Sequence, residues 1–181
     1  EELKSQNSDT VAWLKLNNTD IDFPIVQSKD NEYYLNHNFK KKYNEIGWNF
    51  ADYRNKFPEL NDNTIMYGHT YRNSSLAFSS LKTVLNKNWY NNEENYEITF
   101  ITENENAVYK VFSVHQIEAE DYYIKTSFAN NTEFEKFINT IENRSLKDFN
   151  VDVGVEDTIL TLSTCANNNQ YRVVLHAKKV E

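Results

Sequence analysis

Apolar and polar positions along the chain fall into short runs rich in Val, Ile, Tyr, Phe and Thr, at 11–16, 21–26, 64–67, 96–102, 107–117, 158–163 and 171–180. Clusters of Asn, Asp and Gly bound them, a pattern that predicts the strands of an all-β sandwich or barrel. Helical periodicity is rarer. Around 130–141 a capping-box spacing from Thr132 to Glu135 precedes Phe134, Phe137, Ile138 and Ile141, which predicts a surface helix with its apolar side inward. A looser period of Leu76, Phe78, Leu81 and Leu85 predicts a helix over 75–85, and a weaker signal predicts one around 31–35. No internal repeat and no long linker interrupts this order, and the scattered Asn-rich stretches read as turns.

Composition narrows the picture. At 181 residues, with 39% hydrophobic and 14% aromatic content, the chain is expected to fold as one domain over 1–181 with a sizeable core. The formal charge of −8 argues against a nucleic-acid partner, since phosphate recognition needs a basic surface, and Lys40-Lys41-Lys42 is the only basic cluster. A single cysteine forms no internal disulfide. No apolar stretch approaches the roughly 20 residues that span a bilayer. Four histidines and many carboxylates are available to a metal, but neither H-E-x-x-H nor C-x-x-C spacing occurs, so no metal site is expected.

The chemistry-bearing residues cluster at the ends of strand-like runs. Thr161-Leu162-Ser163-Thr164-Cys165 sets the only thiol at the end of an apolar run, and Arg172 opens the next run, Tyr171-Arg172-Val173-Val174-Leu175. A thiolate is the reactive form of cysteine and neighbouring positive charge stabilises it, so Cys165 is a candidate nucleophile. Taken alone, a lone cysteine is equally a buried small hydrophobe. Ile65-Met66-Tyr67-Gly68-His69 repeats the arrangement, an apolar run ending in a titratable side chain that is a candidate acid and base. His115 and His176 fall inside strand runs, where either is expected to be buried without a catalytic role. Of only three glycines, Gly68 sits in the block that ends at His69 and Gly47 in the segment Gly47-Trp48-Asn49-Phe50; at both, backbone requirements and simple turn chemistry are equal readings.

Together, Tyr67-Gly68-His69, the T-L-S-T-C segment and the following Arg172 resemble the sortases, cysteine transpeptidases of Gram-positive cell surfaces. The block Gly47-Trp48-Asn49-Phe50-Ala51-Asp52-Tyr53-Arg54-Asn55 resembles the G-x-x-F-x-D-x-R-N pattern of class B. The resemblance implies a closed β-barrel of about seven or eight strands, with an N-terminal helix and a helix in a long insertion before the cysteine strand. It implies a catalytic unit of His69, Cys165 and Arg172, with the arginine holding the substrate oxyanion where other cysteine enzymes use an Asp or Asn to orient histidine. Ser163 matches the motif serine, and Tyr122, Tyr123 and Ile124 open the 117–157 insertion, so these four are candidate substrate-groove residues. For the three insertion residues, plain packing is an equal reading.

The implied reaction is cleavage after Thr in an N/S-P-x-T-G/N sorting signal, through a thioester, followed by transfer to a peptidoglycan stem or cross-bridge amine, with no cofactor. The partners are then surface proteins that carry such a signal. Class B members generally carry an N-terminal membrane anchor, expected upstream of Glu1, which would hold the enzyme at the extracellular face of the membrane. Three readings compete: a thiol protease that only hydrolyses, a metal hydrolase whose ligands converge from distant strands, and a non-enzymatic domain whose Trp13, Trp48, Trp89 and tyrosines grip peptides or sugars.

Overall fold

The computed structural model describes residues 2–71, 76–118, 120–165 and 171–181, with the backbone alone described at residue 165. Eight strands close into a barrel: β1 (Thr10–Leu16), β2 (Asp22–Val26), β3 (Phe50–Ala51), β4 (Asn63–His69), β5 (Glu97–Ile101), β6 (Asn106–Glu118), β7 (Ile159–Cys165) and β8 (Tyr171–Lys179). Their spatial order is β1-β2-β3-β4-β7-β8-β6-β5, and β5 pairs back onto β1. All neighbours are antiparallel except β2 with β3 and β4 with β7. Closure removes the free sheet edges that invite aggregation.

The inward positions of these strands fill the barrel. Leu14, Ile25, Met66, Ile98, Phe100, Val111, Leu160, Leu162 and Leu175 belong to one buried cluster. The outer face of the β4-β7-β8 side is also covered, which is why β4 is buried along its whole length. There Ile65 and Tyr67 pack with Val26, Tyr34, Phe39 and Phe50 under the 33–48 segment. Helix α3 (Asn131–Asn143) covers the next stretch, setting Phe134, Phe137, Ile138 and Ile141 against Phe112, Ile117, Tyr123, Ile159 and Val174. Two shorter helices, α1 (Glu2–Gln6) and α2 (Lys87–Tyr90), lie elsewhere on the barrel.

Four details depart from the periodicity argument. The cap of α3 is Asn130, whose Oδ1 accepts from the Glu133 amide at 3.0 Å, two residues before the expected Thr132. The Glu133 carboxylate accepts from the Ala129 amide at 2.8 Å, one residue before the cap, so it satisfies a second amide at this helix start while Thr132 lies within the helix. The expected helix over 75–85 is a 3-10 helix over Ser79–Leu85; its residue 75 lies outside the described residues. Buried Phe78, Leu81 and Val84 recur every third residue, the 3-10 period rather than the α period. The 31–35 signal is a single 3-10 turn, Tyr33–Leu35. Strand β3 has only two residues, too few for any alternation to be read.

His115 and His176 are buried, at 1% and 0% exposure, in a polar seam beneath α3. Thr161 Oγ1 lies 2.8 Å from His176 Nδ1 and gives its proton to Asn63 Oδ1 at 2.6 Å, while Tyr122 Oη lies 2.9 Å from His115 Nε2. The rings stack at 5.4 Å. Burial drives both towards the neutral form; His115 is lowered to about 4, with Arg144 adding to the effect.

Candidate active site

A groove of about 550 Å³ opens on the outer face of the barrel where β4 and β7 end and β8 begins. His69 and Arg172 line it, together with Leu35, Phe50, Tyr67, Ile124 and Thr164. Its mouth carries exposed Tyr43, Glu45 and Asp121. The parallel pairing of β4 with β7 sets the two motif segments side by side: Tyr67 is opposite Ser163, Gly68 opposite Thr164, and His69 opposite Cys165. Residues distant in sequence thus share one end of the sheet because both strands run in the same direction and stop at the same level.

His69 occupies the last position of β4 and is 3% exposed. Its Nε2 lies 2.8 Å from the Leu35 carbonyl, and Tyr71 meets the ring edge-on at 5.9 Å. Burial lowers its basicity, and the bond to Leu35 opposes that only in part. The glycine before it is a matter of space: a Cβ at position 68 would fall 2.4 Å from Asn49 Oδ1 and 2.7 Å from Phe78 Cγ.

Arg172 stands near the start of β8, opposite Ile117 of β6. Its Nη1 donates to Tyr123 Oη at 3.3 Å, and Tyr123 Oη in turn lies 2.8 Å from Ser163 Oγ. Arg172, Tyr123 and Ser163 therefore form one hydrogen-bonded file along the back of the groove. Of the candidate groove residues, only Ile124 reaches the lining. Ser163 and Tyr123 are fully buried behind it. Tyr122 turns away to His115 and lies under the Arg144 guanidinium, 4.0 Å from its ring centre.

Asp52 and Arg54 stand in the G-x-x-F-x-D-x-R-N block, but sequence reasoning assigned neither of them to the groove floor. Asp52 is completely buried and accepts from Arg54 Nε at 2.8 Å, Arg54 Nη2 at 2.7 Å, the Arg54 amide at 2.9 Å, Asn31 Nδ2 at 3.0 Å and Tyr67 Oη at 2.9 Å. Burial alone would raise its pKa, but Arg54 and these donors outweigh it, and the carboxyl sits below its ordinary range. The same carboxylate pushes the Tyr67 phenol, already raised by burial, further above its ordinary value. Arg54 Nη1 also donates to the Ile124 carbonyl at 3.4 Å, tying the floor to the opposite wall. The signal was present in the D-x-R-N spacing, which a two-residue offset turns into a bidentate fork. Among the described residues no group of His, Cys, Asp and Glu is arranged to hold a metal ion.

Comparison with known proteins matches this geometry. The profile of the sortase domain family matches residues 14–180. Sortase B of Listeria monocytogenes is 37% identical over 182 residues, covering 99% of this chain and 73% of that protein. A solved Staphylococcus aureus sortase B–substrate complex superposes with a TM-score of 0.92 at 33% identity, covering 99% of this chain and 83% of that one. A sortase B complexed with triglycine superposes with a TM-score of 0.93, also at 33% identity, covering 99% and 84%. With matches that run nearly end to end, the chain belongs to the sortase family, in its class B, the cysteine transpeptidases of cell-wall sorting.

Proposed function

We propose that the protein cleaves an N/S-P-x-T-G/N sorting signal after its threonine and joins the new carboxyl end to a peptidoglycan amine, with Cys165 as nucleophile, His69 as acid and base, and Arg172 as oxyanion donor. The observation that carries this reading is the register of β4 on β7, which puts His69 opposite Cys165 at the groove that Arg172 lines. Cys165 passes its thiol proton to His69 as its sulfur attacks the threonine carbonyl carbon, and Arg172 meets the negative oxygen with planar donors. The C–N bond breaks as His69 gives its proton to the departing amine, leaving a thioester. The acceptor amine then attacks, His69 takes its proton, and the C–S bond breaks as that proton passes from His69 to sulfur, restoring the thiol. One amide is lost and one is made, so no nucleotide is needed.

The relatives support both halves of this exchange, since one solved sortase B holds a substrate and another holds triglycine. The same reading assigns the enzyme to the envelope of a Gram-positive bacterium, N-terminally anchored at the extracellular face of the membrane. No helix among the described residues is itself long and apolar enough to cross a membrane. The test is incubation with an N-P-x-T-G or S-P-x-T-G peptide, with and without an oligoglycine or stem-peptide amine. Amine found in the product supports transfer; cleavage without any amine incorporation shows a hydrolase, and no cleavage of any such peptide overturns the reading.

A further inference from the structure

We propose that the main-chain carbonyl of Leu35 fixes His69 as the tautomer that keeps its proton on Nε2, so that Nδ1 is the nitrogen that exchanges protons in the reaction, and that Gly47 is a positioning residue because it seats that carbonyl. The assignment rests on the acid–base role proposed above for His69. A carbonyl oxygen can only accept, so across 2.8 Å the Nε2 must donate. In the neutral ring Nδ1 then carries the lone pair. It is buried and has no hydrogen-bond partner among the described residues. The ring that carries it lines the groove. In other nucleophilic triads a carboxylate or an amide side chain orients the imidazole; here a peptide oxygen does so.

That oxygen is held from behind. The Leu35 amide donates to Glu32 O at 3.0 Å, Trp48 donates to Tyr34 O at 2.9 Å, and Gly47 donates to Asn44 O at 2.9 Å. The turn through residue 47 therefore lies directly against the Tyr33–Leu35 turn. Gly47 has φ +68°, and a Cβ there would fall 2.3 Å from Tyr34 O and 2.7 Å from Leu35 O, the very atom that His69 addresses. Any side chain at 47 must push that oxygen or the turn that carries it. Because the orienting group is a neutral dipole, it counters burial only in part, less than a carboxylate charge would, in keeping with the lowered basicity of His69.

The test is the ring-nitrogen NMR spectrum of the full chain above neutral pH, as wild type and as Cys165→Ala, with His69→Gln to identify the resonance. A protonated, pyrrole-type Nε2 and a pyridine-type Nδ1 are expected in Cys165→Ala, and Nε2 protonated in the wild type. A ring protonated on Nδ1 alone, or an even mixture of tautomers, overturns the proposal. Gly47→Ala is expected to lose the single tautomer and to lower kcat about tenfold with KM changed far less. A folded Gly47→Ala with the unaltered tautomer and wild-type kcat refutes the part assigned to Gly47. If that variant does not fold, the Cys165→Ala spectrum decides alone. The spectrum needs no substrate, so a failure of amine transfer and a failure of this assignment are read separately.

Discussion

Tyr67 donates its phenolic proton to the fully buried Asp52 carboxylate at 2.9 Å, so the groove floor is tied to a charge that solvent never reaches. Arg54 completes the charge pairing from a side chain that is 37% exposed. The pair is thus half wet, and its worth lies more in the five donors it organises than in Coulomb attraction across solvent.

Asp52→Ala should cost about 2–3 kcal/mol in urea unfolding, because it strands the Tyr67 and Asn31 donors and removes an acceptor from Arg54. The carboxyl's pKa is depressed in the folded state, so the stability it contributes is present above its unfolded value near 4 and is lost as pH falls through the folded value. Asp52→Asn should accordingly flatten the stability–pH curve below about pH 4. An unchanged acid limb would show that other carboxyls control it.

The histidine seam predicts a separate acid sensitivity. A histidine whose basicity is lowered on folding binds fewer protons folded than unfolded, so its contribution is full above pH 6.5 and drains away down to about 4 for His115. Across that window His115 alone should remove about 3 kcal/mol. Replacing it by Gln, which can still meet Tyr122 and Ser113, should shrink the fall in Tm between those pH values. Parallel melting curves of the two proteins over that range measure it.

Tyr123→Phe removes the hydroxyl that stands between Arg172 and Ser163. Because Tyr123 is fully buried, the loss should appear in kcat, by about tenfold, with KM nearly unchanged. A rise in KM at constant kcat would instead mean that the ring contacts the peptide.

Cys165→Ala should abolish formation of the thioester, seen by intact mass after mixing with a sorting peptide. Arg172→Lys keeps the charge but loses the planar donor pair, and should lower kcat about a hundredfold or more. Wild-type turnover in either variant removes that residue from its assigned role.

The barrel was legible because its strands are runs rich in Val, Ile, Tyr, Phe and Thr bounded by Asn, Asp and Gly clusters: the run at 64–67 lies inside β4, and the run at 158–163 starts one residue before β7 and stops two short of its end. The groove floor was not, since Asp52 is polar and completely buried, and the sequence showed it only as one position of a family motif. What hides it is satisfaction by partners that only the fold assembles, Asn31 from one turn and Tyr67 from β4. Tyr122, Tyr123 and Ile124 show the same limit. Three adjacent residues go to three destinations, because the segment is irregular and no period tells which side chain faces the groove.

The side-by-side strands that carry His69 and Cys165 are separated in the chain by about a hundred residues, and Arg172 lies later still, so this contact closes a long loop at high entropic cost. With the roles proposed for these residues, reactivity waits on the last two strands: a nascent or partly refolded chain carries the imidazole long before it has a thiol to serve. A polypeptide still being completed would remain chemically silent until its last two strands had docked.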